Sequence, residues 1–162
     1  MARFHYRILT RPIREDYKPK DKIPRFLELM RWSGGIRCPH CRSPKVKRFR
    51  KAWKTHEGRY LYLCRGCRRQ FTVTTGTALH HTHVPLATWL DAIALMKKSS
   101  RSLRPADLVH RLGVTHKTAV LMCSRLRRGM KGLFLQRLAL AIRHYKSWER
   151  IYRNLFPDLY VG

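Results

Sequence analysis

Apolar side chains recur along this chain with two different periods. From Pro24 the spacing of Phe26, Leu27 and Met30 predicts a short amphipathic helix, and Ser33-Gly34-Gly35 stops it. Arg59–Leu63 and Gln70–Thr74 are runs rich in β-branched and aromatic residues and predict two strands. Helical spacing then returns. Leu86, Trp89, Leu90, Ile93 and Met96 share one face behind Pro85, which suits a first helical turn. A second helix is expected over Pro105–Leu112 and a third over His116–Met130. Beyond Gly132, Leu133, Leu135, Leu138, Ile142 and Tyr145 predict a C-terminal helix to about Leu155, ended by Pro157. The opening residues hold Pro12, Pro19 and many charges without a period, and read as an extended basic arm. Five segments follow: an arm over 1–23, a helix over 24–35, a small β domain over 36–84, a helical domain over 85–131 and a C-terminal helix over 132–162.

Charge sets the class of partner. The 162 residues carry 36 Lys and Arg against 9 Asp and Glu, a formal net charge of +27, while 44% are hydrophobic. That apolar share is ordinary for a folded chain and too large for a disordered one. Residues 36–84 are the most one-sided, with 12 basic and 1 acidic side chains, and residues 132–162 the least basic, with 5 and 2. A stretch of eighteen apolar residues is missing, and Met1–Thr10 lacks the apolar run of a secretory signal, so a cytoplasmic, nucleoid-associated protein is expected, with no membrane. Its partner is then a polyanion, duplex DNA ahead of RNA.

The cysteines supply the chemistry. Cys38/Cys41 and Cys64/Cys67 form two C-x-x-C pairs separated by 22 residues. Each pair offers two thiolates from one tight turn, and two such turns close a tetrahedral zinc site without a water position. One structural zinc is expected, in a zinc ribbon whose thin apolar content needs it. Metal binding supplies about 10–16 kcal/mol of folding free energy in small zinc modules. Two disulfides or a redox dithiol are the rivals, unsupported by a signal peptide or a βαβ pattern. His40, His80, His81 and His83 are read as surface or nucleic-acid contacts, because four cysteines saturate the metal. Cys123 is read as a small buried hydrophobe.

Residues 105–128 read PADLVHRLGVTHKTAVLMCSRLRR. A two-turn helix, a glycine turn and a longer helix make a helix-turn-helix, with an ordinary helical hairpin as the alternative. Leu108, Val109, Leu112 and Val114 are expected to pack on Ala119, Met122 and Leu126. Thr115 caps the second helix, which places Thr115, His116, Lys117 and Thr118 at the end entering the major groove. Leu121 and Ser124 follow on the outward face, and Arg125, Arg127 and Arg128 reach phosphates. In the ribbon, Arg48, Arg50, Lys51, Arg68 and Arg69 are expected on phosphates too.

The segments LELMRWSGGIRCPHCRS, YLCRGCRRQFTVTTGTALHHTHVPLATWLDAIALM and LVHRLGVTHKTAVLMCSRLRRGM together resemble the N-terminal region of bacterial insertion-sequence transposases, in which a zinc ribbon and helix-turn-helix precede a DDE catalytic domain. The resemblance spans roughly residues 24–131 and implies the DNA-binding part of such an enzyme. Residues 132–162 hold only Glu149 and Asp158 as carboxylates, too few for a three-carboxylate two-metal site, so the family's chemistry is not expected here. The fold expected is α+β and metal-stabilised, a small zinc ribbon followed by a helical domain. The function expected is non-catalytic DNA binding that recruits or regulates partners, with a structural subunit of a nucleoprotein assembly, binding RNA or DNA by charge and shape, as the alternative. The C-terminal helix either closes the helical core or docks a protein partner or second copy.

Overall fold

Residues 22–51, 60–98, 103–145 and 150 are described by a computed structural model. The chain divides into two compact units, one ending at Val73 and one starting at Thr74. The basic arm and the end of the expected C-terminal helix lie outside the described residues.

The first unit holds helix α1 (Lys22–Arg31) and an antiparallel sheet of β1 (Val46–Lys51), β2 (Tyr60–Cys64) and β3 (Gln70–Phe71), in the order β1-β2-β3. The strand β1 falls in the basic stretch that the sequence reading leaves without an element. Its composition, VKRFRK, masks the strand signal with basic residues, and its register on β2 shifts between Arg48 and Arg50. The expected strand over Gln70–Thr74 ends at Phe71, because Val73 and Thr74 enter a turn. Tyr62 and Phe71 face each other across β2 and β3 and stack at 5.6 Å. Trp32, just past α1, meets both rings edge-on at 5.2 and 6.1 Å. Such aromatic pairs contribute about 0.5–1.5 kcal/mol each beyond the area they bury. The helix thus supplies the apolar mass that the ribbon itself lacks. Tyr62 donates its phenol to Glu28 Oε1 at 2.8 Å, and Arg25 reaches Glu28 Oε2 at 3.3 Å, so the buried carboxylate is partnered on both oxygens.

In the second unit, α2 (Leu86–Lys98), α3 (Pro105–Leu112), α4 (His116–Gly129) and α5 (Leu133–Tyr145) enclose one core. Helix α2 packs on each of the other three. Leu86, Trp89, Leu90, Ile93, Leu108, Met122 and Leu126 are buried, and Trp89 satisfies its indole N–H on Thr82 Oγ1 at 2.9 Å. Residues 74–84, grouped with the ribbon in the sequence reading, fall in this unit, since Thr82 and its neighbours bond to α2 and α4. One face of α5 closes the core through Leu135, Leu138, Ala139 and Ile142, and Leu133 and Leu140 stand exposed on another.

Two caps define α3 and α4. The Arg104 backbone N–H donates to Asp107 Oδ2 at 3.0 Å, and Gly113 ends α3 in the left-handed region at φ 64°, donating to Val109 O at 3.1 Å. Thr115 Oγ1 accepts from the Thr118 N–H at 3.3 Å, the expected N-cap of α4. Val109 departs from the expected packing. It is 36% exposed, because Leu108, with Leu112 half-buried beside it, carries the inward face of this short helix.

Candidate metal centre and nucleic-acid interface

Each cysteine pair sits in a turn built by the backbone. Cys38 N–H bonds to Ser43 O at 3.0 Å and Arg42 N–H to Cys38 O at 2.9 Å; in the other turn Cys64 N–H bonds to Arg69 O at 3.0 Å. Amides point at sulfur in both: His40 N–H to Cys38 Sγ at 3.4 Å, and Cys67 N–H to Cys64 Sγ at 3.5 Å. The turns end alike, on Arg42 at φ 62° and Arg68 at φ 58°, left-handed positions that favour glycine. Strand pairing of Val46 with Cys64 brings the two turns together.

The four sulfurs meet the demands of one zinc ion. They lie within 4.8 Å of one another, with Cys38–Cys67 at 3.6 Å and Cys41–Cys64 at 3.5 Å. Zinc–sulfur bonds of about 2.3 Å in a tetrahedron require sulfur separations near 3.8 Å, whereas a disulfide requires about 2.05 Å. Proton affinity tells the same story. The Cys67 amide, with help from neighbouring thiols, draws Cys64 down to about 7. A backbone bond at Ser43 pulls Cys41 downward, yet desolvation and the three other thiols prevail and push it up to about 11. Thiols this crowded resist a full set of negative charges until a cation shares them. Cys38, Cys41, Cys64 and Cys67 form a site for one structural zinc ion. Among the described residues they are the only group of three or more potential ligands gathered this way.

The positions expected to meet DNA differ in availability. His116, Lys117, Leu121 and Ser124 are exposed along α4, opposite buried Ala119, Met122, Cys123 and Leu126. Thr118 is half-buried and receives the hydroxyl of Thr115 at 2.9 Å, so these two threonines serve the cap. Arg125 is half-buried and donates Nη1 to His80 O at 2.8 Å. Arg127 is exposed and reaches Leu103 O at 3.0 Å, and Arg128 is exposed. On the sheet, Arg48 lies over the Tyr60 ring at 4.4 Å, a cation–π contact that leaves its edge toward solvent. Arg68 and Arg69 are exposed beside the second cysteine turn. Arg50 and Lys51 hold β1 positions opposite Leu61 and Tyr60, and their side chains lie outside the described residues.

Two features escape the sequence reading. Glu28 and Tyr62 form a buried pair 34 residues apart, and the only trace in sequence is an acidic residue on the apolar side of α1. His80 and His81 line a cavity with Arg125 and Arg128, a contact between distant segments for which the sequence holds no periodic signal.

Residues 19–70 match the family model of the transposase zinc-ribbon domain. Over 105 residues, 65% of the chain, the sequence is 31% identical to an uncharacterized protein in transposable element ISH50 of Halobacterium salinarum. The chain covers 34% of that relative's length. No solved structure matches it.

Proposed function

We propose, from the premise that residues 19–70 match a transposase zinc ribbon, that this chain is a zinc-dependent, DNA-binding module of insertion-sequence origin. The observation that carries this reading is the division of α4. Its buried stripe is filled by Ala119, Met122, Cys123 and Leu126, and its capped N-terminal end presents His116 and Lys117 to solvent. Read as a helix-turn-helix, α3 and α4 place that end in the major groove, where Lys117, Leu121 and Ser124 meet base edges. Arg48, Arg68 and Arg69 hold phosphates, as do Arg50 and Lys51 in this reading. The reading keeps the module non-catalytic, one that positions and recruits partners on DNA. It works in the cytoplasm on nucleoid DNA; among the described residues no helix is long and apolar enough to cross a membrane. The reading includes a protein contact along α5, with a second copy or another chain, on the exposed Leu133 and Leu140.

Binding of the zinc-loaded chain to a randomised duplex library, with salt titration, tests this. Lys117→Ala should cost about 1–3 kcal/mol and relax preference at one base position. Arg48→Ala should weaken all sequences alike and lower the salt slope by about one. Structured RNA bound as well as duplex DNA, with base preference unchanged in Lys117→Ala, would replace this reading with the nucleoprotein-subunit one.

A further inference from the structure

We propose that a cavity of about 460 Å³ beside the C-terminal turns of α4 binds one phosphodiester of the DNA backbone. Thr77, His80, His81, Arg125, Arg128 and Gly129 line it. Two guanidinium groups and two imidazoles surround a space with no carboxylate on its walls, the donor set of an oxyanion site. Its volume, open to solvent on one side, leaves room for a backbone phosphate. The site rests on the DNA-binding reading above and deepens it: the phosphate contact expected of Arg125 and Arg128 becomes one site shared with His80 and His81.

The cavity is held in shape from three sides. A Cβ on Gly129 would lie 2.8 Å from Ala78 Cβ and 2.9 Å from Leu135 Cδ2, so glycine at the end of α4 is what permits the 77–81 turn to approach. The Arg125–His80 bond ties that turn to the helix and uses one of the five N–H donors of the guanidinium. Thr77 braces the turn from within, donating its hydroxyl to Thr74 O at 2.7 Å and accepting from the Leu79 N–H at 3.1 Å. His81 then takes a left-handed backbone at φ 47° and is exposed, its ring 4.0 Å from that of His80. Histidine is among the side chains that tolerate that region, and the turn so formed sets the ring on the cavity wall.

Position along the helix selects the ligand. Arg128 lies eleven residues beyond Lys117, about 16 Å along the axis at 1.5 Å per residue. With Lys117 at the bases, the cavity sits about three turns farther along α4, toward the sugar–phosphate backbone in this reading.

Ethylation interference and salt titration on a bound duplex, using the full zinc-loaded chain, test the proposal. Arg128→Ala removes an exposed guanidinium, and His81→Asn removes the imidazole while keeping a residue that tolerates positive φ; circular dichroism checks both folds. Arg128→Ala should lose about ten-fold in affinity and about one unit of salt slope. In both variants the same single phosphate should cease to interfere when ethylated. Arg137→Ala, an equal charge removed from exposed α5, should leave the interference pattern unchanged. Wild-type affinity, slope and pattern in both variants, with Lys117→Ala still altering base preference, would remove the cavity and leave the DNA reading standing. Loss of binding only on duplexes carrying a 5′-phosphate would assign the cavity to a strand terminus and overturn the diester claim. Absence of duplex binding altogether overturns both.

Discussion

Glu28 is 3% exposed and bonded to Tyr62 and Arg25, yet burial still pushes its carboxyl above the ordinary value of 4.5; the Tyr62 and Arg25 contacts oppose this without cancelling it. The folded chain therefore holds this proton more tightly than the unfolded chain. The stabilisation linked to it is complete below about 4.5 and is lost as pH rises through the raised value. Glu28→Gln keeps an acceptor for the Tyr62 phenol without the charge. At neutral pH the variant should be at least as stable as the parent, and the difference should shrink as pH falls below the ordinary carboxylate range. Thermal melts of both proteins from pH 4 to 8 check this, because comparison at each pH cancels the acid loss of zinc. A variant less stable at neutral pH, by a margin that closes as pH falls, would show that the ion pair with Arg25 outweighs desolvation. Arg68 offers a second test on the same scale. At φ 58° its side chain costs about 1 kcal/mol against glycine, so Arg68→Gly should raise the denaturation midpoint while weakening duplex binding. Improved stability with undiminished binding would show that the arginine has no part in the interface.

The helices of the second unit test patterning. Leu126 is fully buried and Leu121 is 48% exposed, five residues apart on α4. Leu126→Ala should cost about 2–5 kcal/mol and Leu121→Ala close to none, measured by denaturant unfolding. Equal costs would mean that Leu121 packs against something in solution. The sequence revealed these helices well, because Leu86, Trp89, Leu90 and Ile93 repeat at 3.6 and Gly113 and Thr115 punctuate them. The cysteine site was legible for a different reason: a tetrahedral ion accepts few spacings, and C-x-x-C is one. The strand β1 was not legible. Val46 is half-buried, but its neighbours Lys47 and Arg48 are exposed, and pairing with β2 across the chain, which no local pattern encodes, makes it a strand. The inward side of α1 was read correctly from Phe26 and Leu27, while its tie to the ribbon was hidden. Trp32 and Glu28 find Tyr62 only after the fold brings together residues some thirty positions apart.

The two units depend on zinc differently. The core of the first gathers around Cys38, Cys64, Tyr62 and Phe71, two of them metal ligands, whereas the second fills its core with aliphatic residues and Trp89. Chelation, or Cys64→Ser, should remove hydrogen-exchange protection from residues 60–71 and leave it in α2 and α4, as read by exchange mass spectrometry of the full chain. Uniform loss, or none, would contradict this division. The seating of Trp32 and Glu28 also bears on ancestry and recombination. Had a crossover between genes fallen at Gly35, just before the first cysteine turn, the transferred piece would have carried all four metal ligands and still exposed two aromatic faces and a phenol without its acceptor. A crossover ahead of α1 keeps Trp32 and Glu28 with the Tyr62 and Phe71 that they meet, so such exchange preserves these contacts only when the helix travels with its ribbon.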